Sequence, residues 1–127
     1  MIITESKPYG MIKTQLKKSD RVGIVSCNSC ARMCETGGMK GMKQLATRLR
    51  KDGFTVADMD LIGLACDFDQ LKKEELKGNV TIVLACDAGV YNLKKLFQKR
   101  RIIAALDTVG LGVWDEKGNL TLVKKFR

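Results

Sequence analysis

Cys27, Cys30 and Cys34 lie within eight residues of one another in VGIVSCNSCARMCETGG (22–38), directly after an apolar run, and the stretch closes on a glycine pair. The spacing C-x2-C-x3-C lets three thiolates turn toward a common centre from one loop. Thr36, Gly37 and Gly38 allow sharp turns and a close approach of main-chain amides to sulfur. Such amides hold thiolates in place and tune the potential of an iron–sulfur cluster. The only other cysteines are Cys66 and Cys86, and the chain contains no histidine. A metal site would therefore be built from cysteine thiolates, which suits a [4Fe–4S] cluster or a Zn2+ ion. A cysteine-only set on an α/β loop favours iron, because four-cysteine zinc sites more often come as two close pairs. The expected metal-binding loop is 27–38. Its ligands are Cys27, Cys30 and Cys34, with Cys66 or Cys86 as the fourth.

Other chemistry is thinner. Without imidazole, the usual histidine-dependent acid–base and nucleophilic arrangements are excluded. CNSC could serve as a C-x2-C redox pair, although Cys34 is superfluous to such a pair. The plainest alternative treats the thiols as small buried residues. TGGMKGM and CDAGV are glycine-containing turns that can hold an anion, but neither has a Walker or dinucleotide spacing. Asp67 and Asp87 read as helix caps, Asp107 as a strand end and Trp114 as a hairpin packing residue.

The elements that must carry these residues follow from periodicity. KPYGMIKTQLKKSD fits a short helix with Ile12 and Leu16 on one face. RVGIVSC reads as a buried strand. Met39, Met42, Leu45, Ala46 and Leu49 form one helical stripe that Gly53 stops. FTVADMDLIGLAC is a second strand region, interrupted by Asp58 and Asp60. DFDQLKKEELKG is a helix capped by Asp67 or Asp69. NVTIVLAC is the clearest strand, followed by the helix DAGVYNLKKLFQ and the strand RRIIAALDT. GVWDEKGNLTLVKKF has the arms and turn of a β-hairpin. Alternation of this kind predicts one α/β domain spanning 1–127, three layers deep with a mainly parallel sheet and a C-terminal hairpin. Ligands gather at the carboxyl ends of such strands. Cys27, Cys66 and Cys86 are expected to end the first three, and Asp107 and Thr108 the fourth.

Composition sets the outer bounds. The chain is 45% hydrophobic and 29% charged over 127 residues, with a single proline and no linker or repeat. No apolar run approaches the roughly 18 residues of a membrane span. MIITESKPYG lacks the form of a signal peptide, so a cytoplasmic location is expected. There, clustered thiols are more often ligands or redox groups than disulfides. The net charge of +9 is spread along the chain, as on solvated helix faces, and the sharper reading is an acidic protein partner. KKLFQKRR (94–101) is the densest basic patch. It lacks an aromatic platform for bases, so nucleic acid is the weaker choice.

CNSCARMCETGG, then VLACDAGV, then AALDTVGLG resemble, in that order, the methylenetetrahydrofolate reductase C-terminal domain family, over roughly residues 1–113. That family includes the small cysteine-rich partner of the flavin-containing reductase of acetogen-type anaerobes. The resemblance implies an iron–sulfur or zinc accessory subunit in one-carbon metabolism, without activity of its own. It would bind a flavin-containing reductase subunit and pass electrons toward it, and an acidic ferredoxin-like protein is the donor its charge suits. Carried over by position, Cys27, Cys30 and Cys34 would be ligands, with Cys66 as the fourth and Cys86 as the alternative. Longer members carry a second cysteine-rich segment, whereas this sequence stops at VKKFR. A relay through two clusters is therefore not implied. A zinc-stabilised interaction module and a thiol–disulfide redox protein are the competing readings.

Overall fold

A computed structural model describes residues 1–126. The chain runs β1 (Ile2–Ser6), α1 (Tyr9–Lys13), β2 (Arg21–Cys27), α2 (Cys30–Met33), α3 (Gly38–Lys51), β3 (Thr55–Ile62), α4 (Phe68–Leu71), β4 (Val80–Leu84), α5 (Asp87–Leu96), β5 (Arg101–Ala104), β6 (Leu106–Trp114) and β7 (Leu120–Lys125). Two sheets result: a parallel one ordered β3-β2-β4-β5, and an antiparallel one ordered β1-β6-β7. The α/β expectation holds. The sheet organisation is richer than one parallel sheet with an appended hairpin.

The parallel sheet is centred where the sequence is most continuously apolar. β2 is buried from Val22 to Cys27, and every residue of β4 is buried. Strands covered on both faces must read this way, because any polar side chain there would need a partner. Val25 pairs with Val83 on one side and with Asp60 of β3 on the other. β3 is an edge strand, half-buried along most of its length, and so it tolerates Asp58 and Asp60 without breaking. α3 seats Met42, Ala46 and Leu49 in the core. Burying Met42 and Leu49 contributes about 1.5–3 kcal/mol each. Met39, expected in the same stripe, is instead 45% exposed. Gly53 ends the helix with φ of 89°, a conformation that costs glycine little.

Several boundaries differ from those expected. RRIIAALDT is not one strand: β5 stops at Ala104, and Asp107 and Thr108 belong to β6, which turns away into the antiparallel sheet. Ile2–Ser6, to which the periodicity assigns no element, is a strand that pairs with β6 from Ile2↔Leu111 to Ser6↔Leu106. β6 and β7 pair antiparallel around residues 115–119. Asp115 organises that turn by accepting from the amides of Lys117 and Asn119 at 2.9 and 2.8 Å. The helix over DFDQLKKEELKG is a single turn, started as expected by Asp67, whose carboxylate accepts from the Asp69 amide at 3.1 Å. No helix among the described residues is long and apolar enough to cross a membrane.

Candidate functional site

Three loops leave the carboxyl edge of the parallel sheet side by side, and each carries a cysteine. β2 delivers Cys27, 6% exposed, at its last position. Cys30 follows as the first residue of α2. Cys66 does not end β3 as expected, since the strand stops at Ile62 and the cysteine sits in the turn before α4. Cys86 is likewise two residues past β4, where it is the N-cap of α5 and 9% exposed. Short strands therefore hand their cysteines to the loops above them.

Hydrogen bonds sew these loops together. The Asn28 amide donates to the Ile62 carbonyl at 2.7 Å, and the Ser29 hydroxyl donates to the Gly63 carbonyl at 2.7 Å. The Ala65 amide donates to the Cys27 sulfur at 3.5 Å. Asn92 of α5 reaches the Ala65 carbonyl at 3.4 Å. Gly89 fits because it has no side chain: a Cβ there would stand 2.9 Å from both the Ala65 and Ala85 methyls. The Asp87 amide donates to the Thr108 hydroxyl at 2.9 Å, which fastens the start of α5 to β6. Thr108 thus lies beside the cysteine loops although it ends no parallel strand.

Cys66 directly follows Ala65, whose amide holds the Cys27 sulfur. It is solvent-accessible, yet the loops around it strip enough water from its sulfur that burial is the main cause raising its pKa. Charge on Cys86, then on Cys27 and more weakly on Cys30, pushes the same way. Cys34 is turned elsewhere. Its sulfur faces the Ile2 carbonyl of β1 at 3.6 Å, held there by the turn that follows α2. The amides of the glycine pair do not reach sulfur either: the Gly38 amide donates to the buried Ser26 hydroxyl at 2.8 Å. The amide that contacts sulfur comes from Ala65, a residue the motif spacing does not reveal. Among the described residues, no three cysteine or carboxylate groups gather as tightly as the ligands of one metal ion.

Several large apolar side chains are exposed, some of them close in sequence to the cysteines. Met39, Phe68 and Tyr91 are 45%, 40% and 63% exposed, and each lies within one or two turns of a cysteine-bearing loop. Trp114, read as a packing residue, is 55% exposed where β6 ends, and Val123 of β7 is 58% exposed.

No family model matches the chain, and neither curated proteins nor solved structures provide a match.

Proposed function

We propose that the chain is a non-catalytic accessory subunit that holds an iron–sulfur cluster through cysteines at the carboxyl edge of its parallel sheet. The observation that carries this reading is that the loops after β2, β3 and β4, which bear Cys27 and Cys30, Cys66, and Cys86, leave one sheet edge side by side and are hydrogen-bonded to one another. The donor set is wholly thiolate, which is the chemistry a [4Fe–4S] cluster needs. A single Zn2+, held by four sulfurs at about 2.3 Å, is the alternative occupant. In a cluster each thiolate binds its own iron. When bound, such a group supplies a one-electron carrier.

The ligand set favoured by this arrangement is Cys27, Cys30, Cys66 and Cys86. Cys34, first choice from motif spacing, becomes the alternative because its sulfur is turned toward β1. The remaining roles belong to the chain itself. The Ala65 amide fixes the Cys27 sulfur. The cap position of Cys86 sets it against the amide end of α5. Met39, Phe68 and Tyr91 offer a dry rim against which a partner could dock.

The resemblance to the methylenetetrahydrofolate reductase C-terminal domain family supplies the biological frame: a flavin-containing reductase subunit as partner, in one-carbon metabolism. The excess of lysine and arginine suits an acidic ferredoxin-like donor. The crossover rule further suggests three layers, with α3 on one face of the parallel sheet and α4 and α5 on the other. Anaerobic purification with iron, sulfide and zinc counted per chain tests the proposal. About four irons and four sulfides support it. About one zinc moves the protein to the interaction-module class. Neither metal after anaerobic reconstitution leaves a thiol–disulfide protein.

A further inference from the structure

The order β3-β2-β4-β5 makes the chain reverse its direction of travel across the sheet between β2 and β4. In doubly wound sheets the crevice outside the carboxyl ends at such a reversal is where ligands bind. One part of this edge holds the cysteines. On the α3 side lies a separate cavity of about 200 Å3, floored by Ile12, Leu45, Leu84 and Ala105 and roofed by the segment linking β1 to α1. It does not draw on the cysteines.

Two cations line it, Lys7 of the β1–α1 link and Arg48 of α3. The Arg48 guanidinium lies 4.0 Å above the Tyr9 ring. Tyr9 is itself anchored, its hydroxyl donating to Asp52 at 2.7 Å. Stacking therefore positions Arg48 without using its N–H donors, and it forms no ion pair with a carboxylate among the described residues. Lys7 has only Asp107 at 3.9 Å, too long for a strong hydrogen bond. Glu35 is the single carboxylate lining the cavity, and it pairs with neither cation. The lining thus carries one net positive charge above an apolar floor.

We infer that this cavity binds a small organic monocarboxylate, its apolar body on the floor and its carboxylate between Lys7 and Arg48. A planar guanidinium held by stacking, with free donors, is suited to a bidentate carboxylate. The volume falls below the usual 300–1,000 Å3 of sites for drug-sized ligands, so the body is short: a branched aliphatic acid or a single ring. The apolar floor selects against inorganic anions, which gain nothing by covering it. The inference stands independently of the cluster.

The test is titration of the 15N-labelled full chain with isovalerate and with benzoate, followed by amide shifts. Isoamylamine and inorganic phosphate serve as the comparison probes. The expected result is saturable shifts at Lys7, Thr36, Gly41 and Leu45 with at least one carboxylate, at affinities near millimolar. Arg48→Gln and Lys7→Gln should each weaken binding roughly tenfold or more, and Glu35→Gln should tighten it. Lys7→Gln guards against loss of fold when the Arg48 stack is removed, because Lys7 makes only a long surface contact. The inference is overturned if neither carboxylate shifts these amides, if phosphate or the amine shifts them equally, or if a folded Lys7→Gln variant binds like the parent.

Discussion

The amide of Ala65 points at the sulfur of Cys27, 3.5 Å away, so the loop after β3 is pinned to the last residue of β2. An amide donor holds negative charge on sulfur, which makes this contact a fixture of the candidate site as well as of the fold. It also fixes Cys66, one residue further on, beside the loop that carries Cys27.

If Cys66 and Cys86 complete the set, serine at either position should abolish stoichiometric iron, as should serine at Cys27 or Cys30. Cys34→Ser should retain it. Iron and sulfide counts on anaerobically reconstituted variants decide the matter. Loss of iron in Cys34→Ser with retention in Cys86→Ser would restore Cys27, Cys30, Cys34 and Cys66, the set the resemblance implies.

Gly89→Ala should destabilise the fold by about 1–3 kcal/mol, since a methyl 2.9 Å from both Ala65 and Ala85 forces α5 away from the Cys66 loop. The usual helix gain of alanine over glycine, up to about 1 kcal/mol, offsets part of this. Denaturant unfolding measures the net change. An unchanged midpoint would mean that the loop yields freely.

Asp60 should make the protein less stable as pH rises. Burial, then a hydrogen bond and charge from Asp58, then Glu74, push its pKa up to about 6. An acid whose folded pKa exceeds its unfolded value, roughly 3.9, binds its proton more tightly in the native state. Its favourable contribution is complete below the unfolded value and is lost as pH rises through about 6. Asp60→Asn should therefore raise Tm relative to the parent at pH well above this range and match it at pH near the unfolded value. Parallel melts across the range would reveal an opposite trend at once.

Asp20 has the reverse sign. It is 3% exposed. Its carboxylate accepts from the Lys17 amide at 2.7 Å, from Asn79 at 2.8 Å and from Arg101 at 2.9 Å. The Lys17 amide is the main cause holding its pKa below the usual carboxylate range, against the opposing effect of burial. Its stabilisation is present at neutral pH and is lost as pH falls through the depressed native value. Asp20→Ala should cost about 2–4 kcal/mol, since three donors lose their acceptor while Arg101 stays hydrated. Urea unfolding at neutral pH checks this, and a cost well under that range would mean that water replaces the carboxylate.

Much of the α/β framework was legible because it rests on local pattern. Val80, Ile82, Val83 and Leu84 can be so apolar only in a strand covered on both faces, and Met42, Ala46 and Leu49 recur at helical spacing. That Cys27, Cys66 and Cys86 belong near one edge followed from the alternation of elements. The environment of Cys34 was not legible, because it depends on β1 lying opposite β6, a pairing of residues over a hundred positions apart with no periodic mark in IITES. The break at Ala105 was equally hidden. Arg101–Ala104 and Leu106–Trp114 are both strand-like, and only their different neighbours reveal that two sheets meet there.

That junction makes the two sheets answer to one another. Ala105 alone separates β5 from β6; its amide donates to Val83 at 3.0 Å, and its carbonyl accepts from Lys7 at 2.9 Å. One residue thus serves as a rivet through both sheets. Amide protons of Ala105 and Lys7 should exchange with solvent in the same opening event, so that fraying of the antiparallel sheet is felt at the carboxyl edge where the thiols stand.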